Sequence, residues 1–192
     1  MSPANLERNK KGSIRLSRED WLSRALDYLA HEGRDKLTID NLVRALGVTK
    51  GSFYWHFRDR KDFFDQLLRF WDDRFTQSVI ETVMVQDDAP DVRLWKIMEL
   101  VCSQNITRYE IVIRGWAAHE PEIEGFVRKV DRARNKIVRG LFEQLGFTGV
   151  ALEMRARSFV TYLSMELGMT WRQTKKQRLA CLREFHQLMT AR

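Results

Sequence analysis

Lys50, Ser52, Tyr54 and His56 fall at alternate positions within G-V-T-K-G-S-F-Y-W-H-F-R-D-R-K, residues 47–61. All four side chains can donate hydrogen bonds, and nothing beside them forms a nucleophile–base pair. Their chemistry is recognition. A lysine in the first turn of a short helix can reach guanine O6 and N7 or a phosphate. Ser52 can meet a base edge or a phosphate. Tyr54 and His56 can donate to phosphates, and the Tyr54 ring can lie against a thymine methyl. Gly51 is a poor helix former, so close approach of a partner or turn geometry explains it better than propensity. Trp55 either flanks a nucleic-acid backbone or packs beneath the helix.

These side chains need a short, exposed helix held at a fixed angle. Gly47 follows the helical run at 39–46 and can end it with positive φ. Thr49 can cap a new helix over about 49–56, with Val48, Phe53 and Phe57 facing inward. A helix, a tight glycine-containing turn and a second helix with outward donors read as a helix-turn-helix, whose second helix enters a DNA major groove. Upstream, Ser17 and Asp20 form a capping-box pattern for a helix over about 17–32, with Trp21, Leu22, Ala25, Leu26 and Leu29 on one face. Thr38 can cap the second helix, about 38–45, and its first-turn N–H groups can also hold a phosphate. Residues 1–15 are polar and basic: either a solvated tail or a flexible arm that touches the minor groove or backbone.

The segment G-V-T-K-G-S-F-Y-W-H-F followed by R-D-R-K-D-F-F resembles the DNA-binding signature of the tetracycline-repressor (TetR) family. Its most specific part is Phe53, Tyr54, His56 and Phe57, and with flanking helices the likeness covers roughly residues 17–70. R-G-W-A-A-H-E-P-E at 114–122 and V-D-R-A-R at 130–134 look more loosely like that family's regulatory domain. The resemblance implies DNA contacts at Thr38, Thr49, Lys50, Ser52, Tyr54 and His56, with Arg60 as a phosphate-binding cation. Gly51, Trp55 and Lys61 complete the candidate surface.

Composition agrees with an all-α chain of 192 residues. Hydrophobic residues make up 44%, only three prolines occur, and β-branched alternation is scarce. The net charge is +7, unevenly spread: residues 1–61 hold 13 Lys/Arg against 8 Asp/Glu, and the rest hold 20 against 18. The excess lies where phosphate attraction needs it. Cys102 and Cys181 are isolated, which argues for a reducing, cytoplasmic setting without disulfides. Enzyme signatures are missing: His119-Glu120 lacks the second histidine of a zinc protease, and no phosphate-cradling glycine loop or nucleophile elbow occurs. No metal or cofactor is expected.

The division expected is a basic arm at 1–15, a helix-turn-helix unit at 16–61, and a ligand-binding and dimerisation domain at 62–192. A long helix over about 60–83, capped by Asp59, links the last two. Helices follow over 91–103, to about Ala118, from Pro121 to about Leu145, and over 150–171 and 175–190. The helix at 150–171 is apolar on two faces: Leu152, Ala156, Phe159 and Leu163 on one, Met154, Tyr162, Met165 and Met169 on the other. A second copy of the chain is the simplest cover for the spare face, giving a homodimer through the last two helices. Trp95, Met98, Cys102, Trp116, Phe126, Phe159, Tyr162 and Met165 can line an apolar pocket, the alternative for each being ordinary core packing. Arg114 and His119 can orient a ligand there, or pair with Glu120, Glu124 or Asp131.

The functional expectation is a transcriptional regulator. It would be a repressor that binds a palindromic double-stranded operator as a homodimer and is released by a small apolar effector. The rival is a helical ligand-binding or catalytic bundle whose basic N-terminal unit contacts a protein or membrane.

Overall fold

The structure is a computed structural model and describes residues 16–104, 106–165 and 173–191. The arm at 1–15 and the end of the expected 150–171 helix, with Met169, lie outside the described residues. Ten α-helices occur among those described, and no strand: α1 (Arg18–Glu32), α2 (Ile39–Leu46), α3 (Lys50–His56), α4 (Arg60–Asp72), α5 (Ser78–Met84), α6 (Pro90–Ser103), α7 (Thr107–Ala117), α8 (Pro121–Gln144), α9 (Gly149–Met165) and α10 (Lys175–Thr190). The all-α expectation holds. The chain divides into two compact units, Met1–Trp71 and Asp72–Arg192. The first unit reaches ten residues past the boundary at 61 expected from sequence, because Phe63, Leu67, Leu68 and Trp71 of α4 are buried.

In the first unit the ends of the helices are set by local hydrogen bonds. Ser17 and Asp20 form a reciprocal capping box on α1. The Asp20 carboxyl is held below its ordinary pKa, chiefly by the Ser17 hydroxyl. Thr38 and Thr49 cap α2 and α3 by accepting from the backbone N–H groups of Asn41 and Ser52, each at 3.2 Å. Gly47 closes α2 in left-handed backbone, φ 66°, which an L side chain would resist. The core is aromatic: Trp21 meets Phe53 edge-on at 5.7 Å, and Phe63 meets Phe53 at 5.3 Å and Phe57 at 5.0 Å between ring centres. Edge-to-face rings add directional preference to the burial.

The expected long helix at 60–83 is not uniform. A π-turn occupies Asp73–Gln77, where the Ser78 N–H donates to the Asp73 carbonyl five residues back. Trp71, Phe75, Val79 and Val83 are all buried and step by four, a spacing longer than the α-helical 3.6. A wider turn keeps such a series on one side, and Thr76 is buried with it.

In the second unit, α6 to α9 pack round Leu94, Met98, Ile113, Phe142 and Phe159, all fully buried. Prolines stand at the starts of α6 and α8, where no intrahelical N–H is lost. The four inward residues of α9 are buried as its periodicity requires. The α10 helix returns against α6 and α9: Phe185 stacks on Tyr162 at 4.2 Å, and the His186 ring nitrogen Nε2 lies 2.8 Å from the Asp91 carbonyl.

Candidate nucleic-acid interface and interior cavity

The α3 helix splits its side chains cleanly. Phe53 is fully buried in the aromatic core, and Phe57 just beyond the helix is buried with it. Tyr54 and Trp55 are 56% and 76% exposed. That resolves Trp55: it stands outside the unit rather than beneath the helix. Two large aromatics left mostly in solvent on a seven-residue helix forgo part of the apolar burial open to them, which a surface for a partner explains.

The other candidates on this unit differ in what they present. Lys50 is exposed, but its Nζ lies 2.6 Å from Asp40 Oδ1 on α2. That hydrogen bond raises the ammonium pKa. Arg60 and Lys61 are exposed in the first turn of α4, and the Arg60 guanidinium lies over the Phe64 ring at 5.2 Å. Ser52 is half-buried, and the Thr38 and Thr49 hydroxyls cap helices. His56 points inward: its Nε2–H donates to the Leu16 carbonyl at 2.9 Å, fastening α3 to the start of α1. Since a carbonyl only accepts, the proton sits on Nε2. Gly51 lies in helical backbone, and a Cβ there would meet nothing nearer than the Thr49 hydroxyl oxygen, at 3.6 Å. Turn geometry is therefore not its reason.

The nine candidate ligand residues do not gather round one cavity. A partly enclosed cavity of about 70 Å³ lies within the second unit, and of the nine only Phe159 lines it. Met98 and Trp116 are core, 0% and 2% exposed. Trp95 packs edge-on against His186, and Tyr162 is covered by Phe185 of the chain's own α10. Cys102 and Phe126 are half-buried, His119 is exposed, and Met165 is 41% exposed on an open groove. The cavity wall is instead aliphatic, with Val79, Ile97, Ile137 and Val138 beside the π-turn residues Phe75 and Thr76.

Sequence reasoning missed the polar pole of this cavity. Glu110, 1% exposed, lines it together with Arg134, Thr76 and Ser164. Arg134 reaches Glu110 Oε1 at 2.8 Å, and Arg114 reaches Oε2 at 3.2 Å. Arg134 also donates twice to the Thr76 hydroxyl, at 2.9 and 2.7 Å. Arg114 binds Asp131 with two hydrogen bonds, at 2.9 and 2.6 Å. Those bonds to Asp131 raise the Arg114 pKa against the opposing effect of burial. Of the partners proposed for Arg114, Asp131 is thus the one it takes. A signal existed: Glu110 stands on the buried face of α7, three residues from both Thr107 and Ile113, with Arg114 one turn on.

Among the described residues no group of three His, Cys, Asp or Glu is placed to hold a metal, and no helix is long and apolar enough to cross a membrane.

Residues 22–67 match the family described as bacterial regulatory proteins, tetR family. The chain is 31% identical over 62 residues to the HTH-type transcriptional regulator AcrR of Shigella flexneri, covering 32% of this chain and 29% of that one. It is 28% identical over 111 residues to the HTH-type transcriptional repressor Rv1474c of Mycobacterium tuberculosis, covering 55% and 59%. The chain therefore spans less than two thirds of the length of these curated relatives. Solved structures extend the likeness at the level of fold. A TetR-family regulator from Rhodococcus sp. superposes with a TM-score of 0.69 at 16% identity, over 91% of this chain and 99% of that one. The regulator PfmR from Thermus thermophilus gives 0.68 at 17% identity, over 92% and 96%. Residues 22–67 thus resemble the N-terminal unit of the bacterial tetR family of regulatory proteins, and the chain as a whole shares the fold of these solved structures.

Proposed function

We propose that this protein is a DNA-binding transcriptional regulator, a cytoplasmic repressor that holds a palindromic operator as a homodimer and is released by a small, mainly apolar effector. The observation that carries the DNA reading is the division of α3, with Phe53 locked in the core while Tyr54 and Trp55 stand in solvent. In this reading Tyr54, Ser52 and Lys50 meet bases and phosphates, and Arg60 and Lys61 hold the backbone. Thr38 and Thr49 set the N-termini of α2 and α3 toward phosphates, and Gly51 lets the backbone approach closely. Trp55 flanks the DNA. His56 supports α3 from behind through Leu16.

Dimerisation is assigned to α9 and α10, where Val150, Met154, Met165 and Leu188 are exposed apolar residues. Two recognition helices on one symmetric dimer meet half-sites about 34–36 Å apart, or a multiple of that distance. The effector acts by favouring a dimer in which that spacing is wrong, and DNA must then weaken effector binding by the same factor. The helical run at 60–83 is the route, and its π-turn contributes Phe75 and Thr76 to the cavity.

The test is selection of bound sequences from random duplex DNA, followed by anisotropy titration at several salt concentrations. An inverted repeat and a steep salt dependence are expected. Binding without sequence preference, or none, rejects the regulator. Met165→Glu is expected to give monomer by sedimentation, and a wild-type monomer at micromolar concentration on and off DNA rejects the dimer.

A further inference from the structure

The cavity of the second unit carries more chemical information than its apolar wall. Glu110 and Arg134 line its polar pole, and Arg114 and Asp131 stand behind them outside the lining, the two carboxylates and two guanidinium groups being linked by ion pairs. The four charges sum to zero. Burying a net charge beside them would leave it uncompensated in a poorly solvated place, which is costly. A ligand carboxylate would compete with Glu110 for arginines already engaged. A ligand ammonium would have to draw Glu110 away from both. The balance therefore selects against charged ligands of either sign.

Glu110 also has unused acceptor capacity. Its two oxygens are fully buried and each lies within ion-pair distance of one arginine, which leaves acceptor sites on both unfilled. An ionised carboxylate can accept about four. A buried acceptor in that condition gains most from a donor brought by a ligand. Size is limited as well: about 70 Å³ is roughly half an engineered cavity that admits benzene. One small ring, with slight movement of the aliphatic wall, is the upper limit.

We infer that the effector of this regulator is a small neutral molecule, of about one ring, with an apolar body against Phe159 and Val138 and a hydroxyl or N–H that donates to Glu110. This rests on the regulatory reading above and narrows it to a ligand class. The Arg134–Thr76 bonds then make the π-turn the first piece of backbone to feel such a donor, because Arg134 is shared between Glu110 and Thr76.

The experiment uses the full chain without DNA, so its outcome is independent of operator binding. Phenol, toluene, benzoate and benzylamine are titrated by calorimetry at pH 7, being similar in size and different in the one group at issue. Phenol is expected to bind at least about tenfold more tightly than the other three, the value of one good hydrogen bond. Val138→Phe, which fills the cavity and leaves the charges intact, is expected to abolish phenol binding. Glu110→Gln makes the pole net cationic and is expected to shift the preference from phenol to benzoate. Benzoate or benzylamine binding tightest to the wild type, toluene matching phenol, phenol binding undiminished to Val138→Phe, or no binding by any of the four overturns the inference. If Glu110→Gln does not fold, the wild-type rank order and the Val138→Phe result decide it alone. Sequence-selective DNA binding that persists whatever these titrations give leaves the regulator standing and removes only the ligand class.

Discussion

The two units put polar groups in opposite places. In the first, the interior is an aromatic cluster of Trp21, Phe53, Phe57 and Phe63, and most of the candidate recognition groups stand on the surface. In the second, a carboxylate is sunk among aliphatic side chains and enclosed by two arginines. The difference follows from the size of what each would recognise. A DNA duplex offers a long row of phosphates and base edges, so solvent-facing donors suffice, and each is individually weak and exchangeable. A small molecule offers few contacts, so discrimination needs polar groups in a low dielectric, where a wrong partner is expensive.

The contrast can be broken most severely at Glu110. Glu110→Ala leaves Arg134 and Arg114 short of a buried counter-charge, and a loss of about 3–5 kcal/mol is expected in denaturant titration. A loss below about 1 kcal/mol, the value of an exposed pair, would mean the network is solvated in solution. On the other unit Tyr54→Ala is expected to cost about 1–3 kcal/mol in operator binding while its unfolding midpoint stays put, since the ring is largely in solvent. Equal affinity of the folded mutant would remove α3 as the recognition helix.

The caps of the first unit come next. Ser17→Ala is expected to cost about 1 kcal/mol and to change the acid limb of stability. Asp20 has its folded pKa lowered by Ser17 below the ordinary 3.8. Its contribution is therefore full above that ordinary value and is lost as pH falls through the folded one. Denaturation at neutral pH and at a pH below that ordinary value should show a gap between wild type and mutant that narrows in acid. Gly51→Ala sharpens the comparison by separating stability from binding. It is expected to gain up to about 1 kcal/mol of helix stability, since the site is helical and uncrowded, and yet to weaken DNA binding. An alanine variant with undiminished affinity would show that nothing approaches the backbone there.

The smallest effect is expected at Asp40. Its carboxylate occupies the Lys50 ammonium at 2.6 Å, and both groups are exposed. Asp40→Asn frees the lysine and removes a negative charge beside the proposed groove, so DNA affinity should rise ~2- to 5-fold at low salt and the gain should fade at high salt. A loss of affinity would mean that Asp40 positions Lys50 rather than competing for it.

The sequence alone determined what depends on neighbours in the chain. Ser17, Thr38, Thr49 and Gly47 fix the ends of the first three helices through hydrogen bonds and backbone angles spanning a few residues. The alternation of Phe53 and Phe57 with Tyr54 and Trp55 sorts inside from outside on one helix. The tertiary structure decided what depends on residues far apart. Whether Trp95, Trp116 and Tyr162 faced a cavity or each other's helices was open, because an apolar stripe packs on whatever apolar surface meets it. His56 carries the signature of a surface donor and is turned inward by a carbonyl forty residues upstream. The π-turn was legible only as a four-residue spacing whose consequence needed the partner helices. The charge network joins Thr76, Glu110, Arg114, Asp131 and Arg134 from three separate elements. No local periodicity brings those together, because ion pairing acts through space and its partners are chosen by how the helices pack.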